Sequence, residues 1–554
     1  MKAKELRKKY RIFITGMMMA ALLAGTTACS TQASDTSSPA NAAESSTVAA
    51  DAAEEAVETG ESAAATETGE NGLNANAADS TDAVDTGSQN TAAEAKSGPS
   101  KDEITTTETI ENSEDGGHAI IADAEEQTYA NTTVTKTGDS DSGDEADFYG
   151  DNAAIFATNG GTLNLSEMVI ETNGTHANGV FSYGEGTTVN ISDSYIETSG
   201  NCSGGLMTTG GGTMNAENLT ITTSGNSSAA IRSDRGGGTV TVTGGTYTTS
   251  GTGSPVIYST ADITVNDAQM ESTASQGVVV EGKNSVTLNN VDLTADNNTK
   301  NSDKSAYYQA VMIYQSMSGD AAEGTSSFTM NGGTLTNANG DIFFVNNTAT
   351  TIDLTGAEIV NNGDGVFLRA EAAGWGSEGS NGGHVNLTAS DQEINGDMIV
   401  DQVSELNLYL KDNSVFTGAI NSDAQAGSVY VEIEEGSKWI LTGDSHITGL
   451  TCSADAIDLN GYTLYVGDET YEAGTESTGQ AIEFTLSSGS GNGGAPDGAP
   501  GGAPDGASEG SGSGKPGKAK HGKPDGAPAG SEPPAKPESS DNSGSSSNSA
   551  SSDN

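Results

Sequence analysis

Arginine is scarce after the basic residues that begin this chain, and two of the remaining arginines lie close together. Between residues 12 and 554 only Arg232, Arg235 and Arg369 occur. The segment IRSDRGG sets Arg232 and Arg235 on either side of Asp234. A guanidinium binds carboxylates and sulfates through paired N–H donors, so this segment is suited to a carboxylated or sulfated glycan. The alternative, which we favour, is a local ion pair at a turn, worth under about 1 kcal/mol.

Aromatic and charged side chains are concentrated in two long segments that interrupt the repeat described below. The segments read NNTKNSDKSAYYQAVMIYQSMSGDAAEG and FLRAEAAGWGSEGSNGG. Aromatic faces beside charged groups are suited to stacking on sugar rings, and loops often carry the function of a scaffold. The alternative is that these rings fold inward and cover the scaffold. The predicted ligand-binding patch consists of Lys304, Tyr307, Tyr308, Tyr314, Arg369, Glu371 and Trp375, with Asp303 and Asp320 beside them.

The acidic segment GDSDSGDEADFYGD is a candidate metal site. Its carboxylates at Asp139, Asp141, Asp144 and Glu145 resemble those of a calcium-binding loop. The segment departs from the EF-hand pattern, because Gly150 stands where that pattern requires a glutamate. Calcium binding therefore has weak support, and we favour a solvated acidic loop. No other cofactor is expected, since the five histidines are dispersed and show no metal-ligand spacing.

A short apolar motif, repeated along residues 101–486, predicts the elements that position these side chains. GGTLNLSEMVIETNG returns as GTTVNISDSYIETSG and again as GGTMNAENLTITTSG. Each unit opens with two apolar residues around a polar one, and successive units follow at about 24 residues, with longer spacings before Phe328 and Val385. The first members of these pairs are Leu163, Val189, Met214, Val240, Ile263, Val286, Phe328, Ile352, Val385, Leu406 and Val429.

Two further apolar positions complete each unit. The second positions are Ile170, Ile196, Ile221, Tyr247, Met270, Leu293, Leu335 and Ile359. The third positions are Val180, Leu206, Ala230, Val256, Val278, Val311, Ile342 and Val366. Three short alternating segments per unit, with no helical periodicity, predict an all-β right-handed parallel β-helix of about a dozen coils. The pattern leaves open which of the adjacent apolar residues in GVFSY, GLMTT and GVFLR faces the interior.

Residues 101–486 resemble pectate-lyase-like right-handed β-helix proteins, and more narrowly the uncharacterised adhesin-type surface lipoproteins of anaerobic gut Firmicutes. The stretches KTGDSDSGDEADFYGDNAAIFATNGG, AAIRSDRGGGTVTV and GTGSPVIYSTADITV carry the resemblance. It implies display at the cell surface and supplies no catalytic residues. The RxPxxR element of the lyases and the NTD, DD, GHG and RIK elements of the hydrolases are absent from the sequence. Since fold alone does not make an enzyme, we favour binding over catalysis.

The first 28 residues resemble an export signal of the bacterial lipoprotein type. The basic stretch MKAKELRKKYR precedes an apolar run, from Ile12 to Leu23, that is too short to span a hydrocarbon core of about 30 Å. Small residues then lead to Ala28 and Cys29, although Thr26 stands where this signal usually has leucine. The resemblance implies a lipid at Cys29 that anchors the chain to the membrane. The alternative is an ordinary secretory signal with a chance cysteine.

Composition divides the remainder of the chain. Residues 29–100 are rich in Ala, Ser, Thr, Asn and acids, which predicts a disordered stalk, and the Gly/Pro/Ser-rich residues 487–554 predict a disordered tail. The net charge is −55, from 77 acidic and 22 basic residues. Such a polyanion repels phosphate backbones, so no nucleic-acid partner is expected.

These patterns predict an exported, lipid-anchored protein that faces the cell exterior and acts as an adhesin or glycan-binding module. One alternative is a polysaccharide-active lyase or glycosidase whose acidic residues match no familiar motif. A second is a passive structural spacer. An enzyme is expected to bring several acids, or an acid with Arg369 or Lys304, into one groove. A binder is expected to show aromatic and amide groups without such convergence.

Overall fold

The computed structural model describes residues 97–300, 302–424 and 427–484. The predicted signal peptide, Cys29, nearly all of the predicted stalk and the predicted tail lie outside these residues. The described chain is nearly all β-strand and winds in successive coils whose strands pair in parallel, so the predicted all-β parallel β-helix is confirmed. Within this described part of the chain, no helix is long and apolar enough to cross a membrane.

The strands are numbered in chain order and fall into four sheets. Sheet A contains β1 (Glu108–Asn112), β3 (Glu126–Ala130), β4 (Thr132–Lys136), β6 (Thr162–Ser166), β7 (Val169–Thr172), β9 (Thr188–Ser192), β10 (Tyr195–Thr198), β12 (Gly212–Glu217), β13 (Thr220–Thr223), β15 (Gly238–Thr243), β16 (Thr246–Thr249), β18 (Asp262–Asn266), β19 (Gln269–Ser272), β21 (Ser285–Ala295), β23 (Thr325–Asn337), β25 (Thr348–Thr355), β26 (Glu358–Asn361), β28 (Gly383–Ser390), β31 (Glu405–Lys411), β33 (Ser428–Ile433) and β36 (Gly449–Cys452). Sheet B contains β2 (Ile120–Asp123), β5 (Ile155–Thr158), β8 (Val180–Tyr183), β11 (Leu206–Thr209), β14 (Ile231–Ser233), β17 (Ile257–Ser259), β20 (Val278–Glu281), β22 (Gln309–Tyr314), β24 (Asp341–Asn346), β27 (Val366–Ala370) and β30 (Asp397–Val400).

The last coils add two small sheets. Sheet C contains β29 (Glu393–Asn395), β32 (Val415–Thr417), β34 (Lys438–Ile440) and β37 (Ile457–Asp458). Sheet D contains β35 (Ser445–Ile447), β38 (Leu464–Val466) and β39 (Glu469–Thr470). Among the described residues, a 3-10 helix spans Lys101–Glu103 and one α-helix, α1, spans Gly143–Tyr149.

One coil consists of three strands, and each pairs with its counterpart in the next coil. In the coil of β6, β7 and β8, the partners one coil later are β9, β10 and β11. Sheet A supplies two faces of the coil and sheet B supplies the third. This stacking satisfies the backbone N–H and C=O groups between coils and encloses one continuous apolar interior.

The first apolar pair of each unit faces this interior, as predicted. In β9, Val189 and Ile191 are buried while the residues between and around them are half-buried. The first members of successive units were predicted to lie beside one another in neighbouring coils. This prediction fails at one place, because Ile352 of β25 is paired with Leu387 of β28 instead of Val385. The slip is two residues, which keeps the same side chains inside because neighbouring residues of a strand alternate between faces.

The second apolar positions are confirmed from Ile170 to Ile359, where each is paired with the next along sheet A. The third positions are partly wrong. Val180 and Leu206 face the interior, as predicted. Their column continues through Ile231 and Ile257, where the prediction had Ala230 and Val256. It later passes through Phe343 and Leu368, where the prediction had Ile342 and Val366.

Adjacent apolar residues in sheet B therefore divide between two faces. In GVFSY and GLMTT, Val180 and Leu206 join the interior, whereas Phe181 and Met207 form a separate cluster on the outer face. In GVFLR, Phe367 and Leu368 both join the interior. A register shift between Val366 and Leu368 makes this possible.

Glycines stack on one another at one turn of successive coils. A Cβ added to Gly200, Gly225 or Gly251 would lie 1.8–1.9 Å from the carbonyl oxygen of the glycine one coil earlier. Ser228, beside this column, accepts a hydrogen bond from the N–H of Ser203 (3.0 Å) and donates one to the Gly200 carbonyl (3.1 Å). In the recurring SGNxS and SGTxS motifs, the glycine therefore allows the backbones of neighbouring coils to approach closely, and the last serine links those coils by hydrogen bonds.

Helix α1 is an element that the sequence prediction omitted. It arises in the acidic segment GDSDSGDEADFYGD and ends at Gly150, which is left-handed with φ of 80°. Its buried residues are Ala146, Asp147 and Phe148. The carbonyl oxygen of Phe148 accepts a hydrogen bond from the Thr209 hydroxyl of β11 at 2.7 Å, so the helix lies against the outer face of sheet B.

Candidate ligand-binding site

On the outer face of sheet B, one outward side chain from each coil lies in a line that we call the outer column. Its middle part is held by β11, β14, β17, β20 and β22, which pair in parallel and in register. The outer column consists of Phe156, Phe181, Met207, Arg232, Tyr258, Val279, Met312, Phe344 and Arg369.

Different segments cover the two ends of the outer column. Near its beginning, α1 and the residues after it lie over Phe181 and Met207, which are fully buried. Near its end, the long segments around residues 302–308 and 371–382 bring Trp375 against Met312 and Phe344. Both covers are insertions into the repeat, and the part of the column between them remains less enclosed.

A pocket lies between these covers and holds about 750 Å³ of empty space when its open mouth is counted. Arg232, Tyr258 and Val279 of the outer column form part of its wall, together with Tyr314 and Trp375. The structure thus joins two sites that the sequence analysis treated separately, the IRSDRGG segment and the aromatic patch. Among the described residues that line the pocket, arginine and lysine occur but aspartate and glutamate do not.

Arg232 is the central charged group of this region. Its side chain is 5% exposed, and its Nη2 lies 2.6 Å from Asp234 Oδ2 and 3.5 Å from Asp147 Oδ2. His176 Nδ1 lies 3.1 Å from the other oxygen of Asp147. The Nη1 atom of Arg232 is buried and has no hydrogen-bond partner among the described residues. The favoured sequence interpretation, a local ion pair with Asp234, is therefore realised, but it is buried and it also ties α1 to sheet B.

Burial raises the pKa of Asp234 to about 7, against the lowering effect of the Arg232 guanidinium. The nearby Asp147 raises it further, because two carboxylates share one guanidinium in a site that excludes water.

A second buried carboxyl group lies one coil beyond Tyr258. The hydroxyl groups of Tyr258, Tyr314 (3.1 Å) and Ser316 donate hydrogen bonds to Glu281. Burial raises the pKa of Glu281, although these three donors act in the opposite direction. The two tyrosine rings belong to the pocket wall, so Glu281 fixes their orientation from behind.

We expect Glu281→Gln to change the pH dependence of stability. Because the folded pKa exceeds the ordinary value of 4.5, the stability associated with the protonated group is present below about pH 4.5. That stability is lost as the pH rises through the folded pKa. The variant has no such loss, so its Tm relative to the natural protein should increase from about pH 5 to about pH 8, as thermal unfolding at several pH values would show.

The matched control for this prediction is Glu271→Gln, since Glu271 is an exposed glutamate on sheet A. Its Tm difference from the natural protein should stay constant over the same range. A constant difference for Glu281→Gln as well would contradict the assignment of a raised pKa.

The predicted patch is divided between the pocket and its surroundings. Trp375 is 5% exposed and Tyr314 is 1% exposed, and their rings meet at 5.1 Å between centroids. Both rings thus pack inward, as one sequence alternative expected, and both also line the pocket, as does Tyr307. Tyr308 lies outside the lining residues, with Lys300 Nζ 4.7 Å from its ring centroid.

The charged members of the patch form internal pairs. Arg369 Nε lies 2.6 Å from Asp341 Oδ2, and its guanidinium also contacts Glu371 and covers the Tyr307 ring at 3.6 Å. Lys304 Nζ lies 5.6 Å from the Trp375 ring centroid. Arg369 and Glu371 therefore support the pocket from outside, since neither lines it.

Arg235 links α1 to the segment between β22 and β23. Arg235 Nη2 lies 2.7 Å from Asp320 Oδ1, and its guanidinium lies 3.8 Å from the ring centroid of Phe148 in α1. Asp320 belongs to that segment, which follows the pocket residue Tyr314 in the chain. Arg235 lies outside the pocket lining.

The four candidate calcium ligands occupy different surroundings. The carboxylate of Asp139 accepts the N–H of Thr175 at 2.7 Å, while Asp144 and Glu145 lie in the first turn of α1. Asp141 is exposed. No group of three or more His, Cys, Asp or Glu side chains suited to a metal ion occurs among the described residues.

Sequence reasoning missed several pocket residues, among them Tyr258, Gln276, Asn297, Gln309 and Met312. A signal for Tyr258 existed, since it occupies the same position in its unit as Arg232 does one coil earlier. No comparable signal marks Asn297 or Gln309, because they lie at the two ends of an insertion. No protein-family model, curated protein or solved structure matches this chain.

Proposed function

We propose that this protein is a surface-displayed, lipid-anchored β-helix adhesin that binds a glycan in the pocket of sheet B. The observation that carries the proposal is a pocket walled by Tyr258, Tyr314 and Trp375 whose lining also includes Arg232 and Lys300. Aromatic surface together with a few fixed polar groups is the usual composition of a small-ligand site. Export and lipid attachment at Cys29 rest on the sequence resemblance.

Charge supports a ligand that carries no positive charge. In a chain with 77 acidic residues, the pocket wall contains Arg232 and Lys300 but no carboxylate among its described residues. The acids Asp234 and Glu281 lie behind the wall, bound to Arg232 and to the tyrosines. Sugar hydroxyl groups suit such a wall, since they pair with amides and guanidinium groups at no cost in charge burial.

A polysaccharide-active enzyme is the second candidate, favoured by the acids near the pocket. Asp147, Asp234 and Glu281 are all buried in this region, and Asp234 has a pKa near 7. Carboxyl groups with separated pKa values can act as acid and base in glycosidic bond cleavage. The three acids are, however, occupied by Arg232, His176 and hydroxyl groups, which is why binding is our first proposal.

Affinity electrophoresis of the full chain tests this proposal. Native gels cast with mucin, pectin or a neutral polysaccharide are stained for protein and for polymer. Retarded migration without loss of polymer supports binding, and cleared polymer around the band supports the enzyme. Free migration in every gel would contradict both candidates.

The variant Thr299→Trp tests whether the glycan binds in the pocket. Thr299 lines the pocket and is half-buried, so an indole there is expected to block entry and restore free migration. Thr273→Trp is the matched control, because both hydroxyl groups donate to a carbonyl oxygen of the preceding coil and Thr273 lies outside the lining. Equal retardation of both variants would contradict the pocket as the binding site.

A further inference from the structure

Asparagines recur on the outer face of sheet A, between the two apolar residues that open a repeat unit. They occur in LNL, VNI and MNA, at Asn164, Asn190 and Asn215, and again in VNL and LNL, at Asn386 and Asn407. In both groups, the carboxamide of each later asparagine donates an N–H to the Oδ1 atom of the one before it, at 2.8–2.9 Å. Sheet A therefore carries two asparagine ladders of the same construction.

A segment of the chain itself lies over the second ladder. Residues 477–484, which we call the return segment, follow β39 and run back over the outer face of sheet A. Ser477 and Cys452 exchange two backbone hydrogen bonds at 3.1 Å. The Phe484 ring lies 5.9 Å, between centroids, from that of His384, three coils earlier than Cys452. A peptide can therefore lie along the axis of the β-helix on this face.

Asn407 pairs with the return segment in the way that one peptide group pairs with another. Its Oδ1 accepts the N–H of Ile482 at 2.9 Å, and its Nδ2 donates to the Ile482 carbonyl at 3.0 Å. A carboxamide offers the same donor and acceptor as a backbone peptide group, so this pairing requires no particular side chain on the bound peptide. With the return segment in place, Asn407 is only 2% exposed.

The first ladder has the same groups, but it is open. Asn215 is its last member, as Asn407 is the last member of the second ladder, and Asn215 is exposed. One N–H of Asn215 Nδ2 donates to Asn190 Oδ1, and Asn215 Oδ1 accepts no hydrogen bond among the described residues. Asn215 therefore retains the donor and the acceptor that Asn407 uses on Ile482.

The first ladder lines a groove that crosses five coils, from β3 to β15. The groove holds about 1030 Å³ of empty space when its open side is counted. Glu217 lines it, and lysine, arginine and histidine do not occur among its described lining residues. Near its first end, Glu126 accepts a hydrogen bond from Asn164 at 3.1 Å. A neutral or basic occupant suits this groove, whereas an acidic one would bring like charges together.

We propose that this groove is a second binding site, which takes an extended, neutral or basic peptide segment of a partner protein. Asn215 pairs with one backbone N–H and one C=O group of that segment, as Asn407 does with Ile482. Because the pairing uses backbone groups, the site selects an extended conformation and a charge more than particular side chains. The groove lies on sheet A, so the proposal does not depend on glycan binding in the pocket of sheet B.

Fluorescence anisotropy of two labelled peptides with the full chain tests the proposal. The probes are STGQAIEF, the sequence of the return segment, and its Glu483→Lys form, STGQAIKF. We expect both to bind saturably, with STGQAIKF bound at least about threefold more tightly at low salt, because charge complementarity favours it. No saturable binding of either peptide would overturn the proposal. Equal or tighter binding of STGQAIEF would overturn the assignment of charge.

Asn215→Thr should weaken the binding of STGQAIKF at least about tenfold, because it removes two hydrogen bonds to the peptide backbone. Threonine stands at the same place in the next coil, as Thr241, so the fold accommodates it. Asn331→Thr is the matched control. Asn331 is also an exposed last member of an asparagine ladder, is followed by Thr355 in the next coil, and lies outside the groove. Equal affinities of the two variants would overturn the assignment to Asn215.

The pairing that serves as the precedent can be tested in the return segment itself. Asn407→Thr should accelerate hydrogen exchange of the Ile482 N–H at least about tenfold, since that group loses its acceptor. An unchanged exchange rate would overturn the view that a ladder carboxamide holds a peptide on this sheet.

The peptide site and the glycan pocket can be separated by their variants. Thr299→Trp should leave peptide binding unchanged, and Asn215→Thr should leave the retardation in polysaccharide gels unchanged. Loss of peptide binding in Thr299→Trp would place the peptide in the pocket of sheet B and overturn the proposal. If neither peptide binds and Asn215→Thr abolishes retardation by a polysaccharide, the groove is a glycan site and the proposal is likewise overturned.

Discussion

Arg232→Met is expected to lower the free energy of unfolding by about 3–5 kcal/mol, the cost of leaving buried charges without their partner. Asp234 and Asp147 both lie within 3.5 Å of the Arg232 guanidinium, and the side chains of both acids are at most 4% exposed. Methionine retains the bulk of the side chain but none of its charge. When both acids are ionised, they would then repel each other in a site that excludes water. Denaturant titration at about pH 8 would measure the loss.

The same variant has a characteristic pH dependence. Removal of the guanidinium raises the folded pKa of Asp234, which burial already raises to about 7, even further. The unfolded chains titrate alike, so the part of the deficit that Asp234 causes is lost below its folded pKa in the natural protein, about 7, and grows above that pH. The deficit should therefore be smaller at about pH 5 than at about pH 8. A deficit that is independent of pH would indicate lost packing instead of lost charge.

Arg235→Met is the control from the same segment. Arg235 is 38% exposed at its side chain and pairs with Asp320 at the edge of the site, so its loss is expected to cost about 1 kcal/mol or less. If both variants lose the same small amount of stability, the ion pairs of Arg232 with Asp147 and Asp234 do not hold α1 on sheet B. The double variant Arg232→Met with Asp234→Asn should recover part of the loss, since it leaves one buried charge fewer.

The fold could be predicted from the sequence because one physical requirement recurs in every coil. Positions such as Ile196, Ile221 and Tyr247 must fill the same interior slot, and a constant spacing follows from the constant length of the coil. The prediction of the third column was less accurate because sheet B has apolar residues on both faces. Ala230 and Ile231 both join the interior, and only the pairing between coils shows that Ile231 is the residue in register with Leu206.

Helix α1 could not be recognised by periodicity. It has only seven residues, about two turns, which is too short for a helical repeat of apolar residues. Its exposed first turn is acidic, and an acidic stretch is equally typical of a solvated loop. Its position depends on Asp147, whose partners His176 and Arg232 lie in later coils. Such contacts arise only when the coils are stacked, so the local sequence does not reveal them.

The candidate site was predicted in parts but not as a whole. The aromatic patch and the IRSDRGG segment both contribute to the pocket through Trp375 and Arg232. Their meeting depends on the path of an insertion over the outer column, which has no repeat to constrain it. Glu281 escaped notice because a single buried acid in VVVEGK has no partner in the nearby sequence, while Tyr314 and Ser316 come from the next coil.

Gly225→Ala is expected to cost about 3 kcal/mol, at the upper end of the range for overpacking. The new Cβ would lie 1.8 Å from the Gly200 carbonyl oxygen, which belongs to the backbone and cannot rotate away. Separating the coils there would also stretch the hydrogen bonds of Ser228 to Ser203 and Gly200. Because stability in a repeat fold is largely a sum of neighbouring-coil contacts, the damage should be local. Hydrogen exchange should accelerate in β10, β13 and β16 while β33 keeps its protection.

Gly443→Ala is the matched substitution for this prediction. Neither glycine has a positive φ, but a Cβ at Gly443 would meet only the side chains of Ala419 at 3.2 Å and Ser422 at 3.9 Å. A loss well below that of Gly225→Ala is therefore expected, since side-chain atoms can move by a few tenths of an ångström. Comparable losses in the two variants would mean that the general effect of replacing glycine by alanine determines the result. The stacking of glycine on glycine would then not be the cause. Uniform acceleration of exchange along the whole β-helix would instead show that its coils unfold as one cooperative unit, in which a single glycine column limits the stability of every coil.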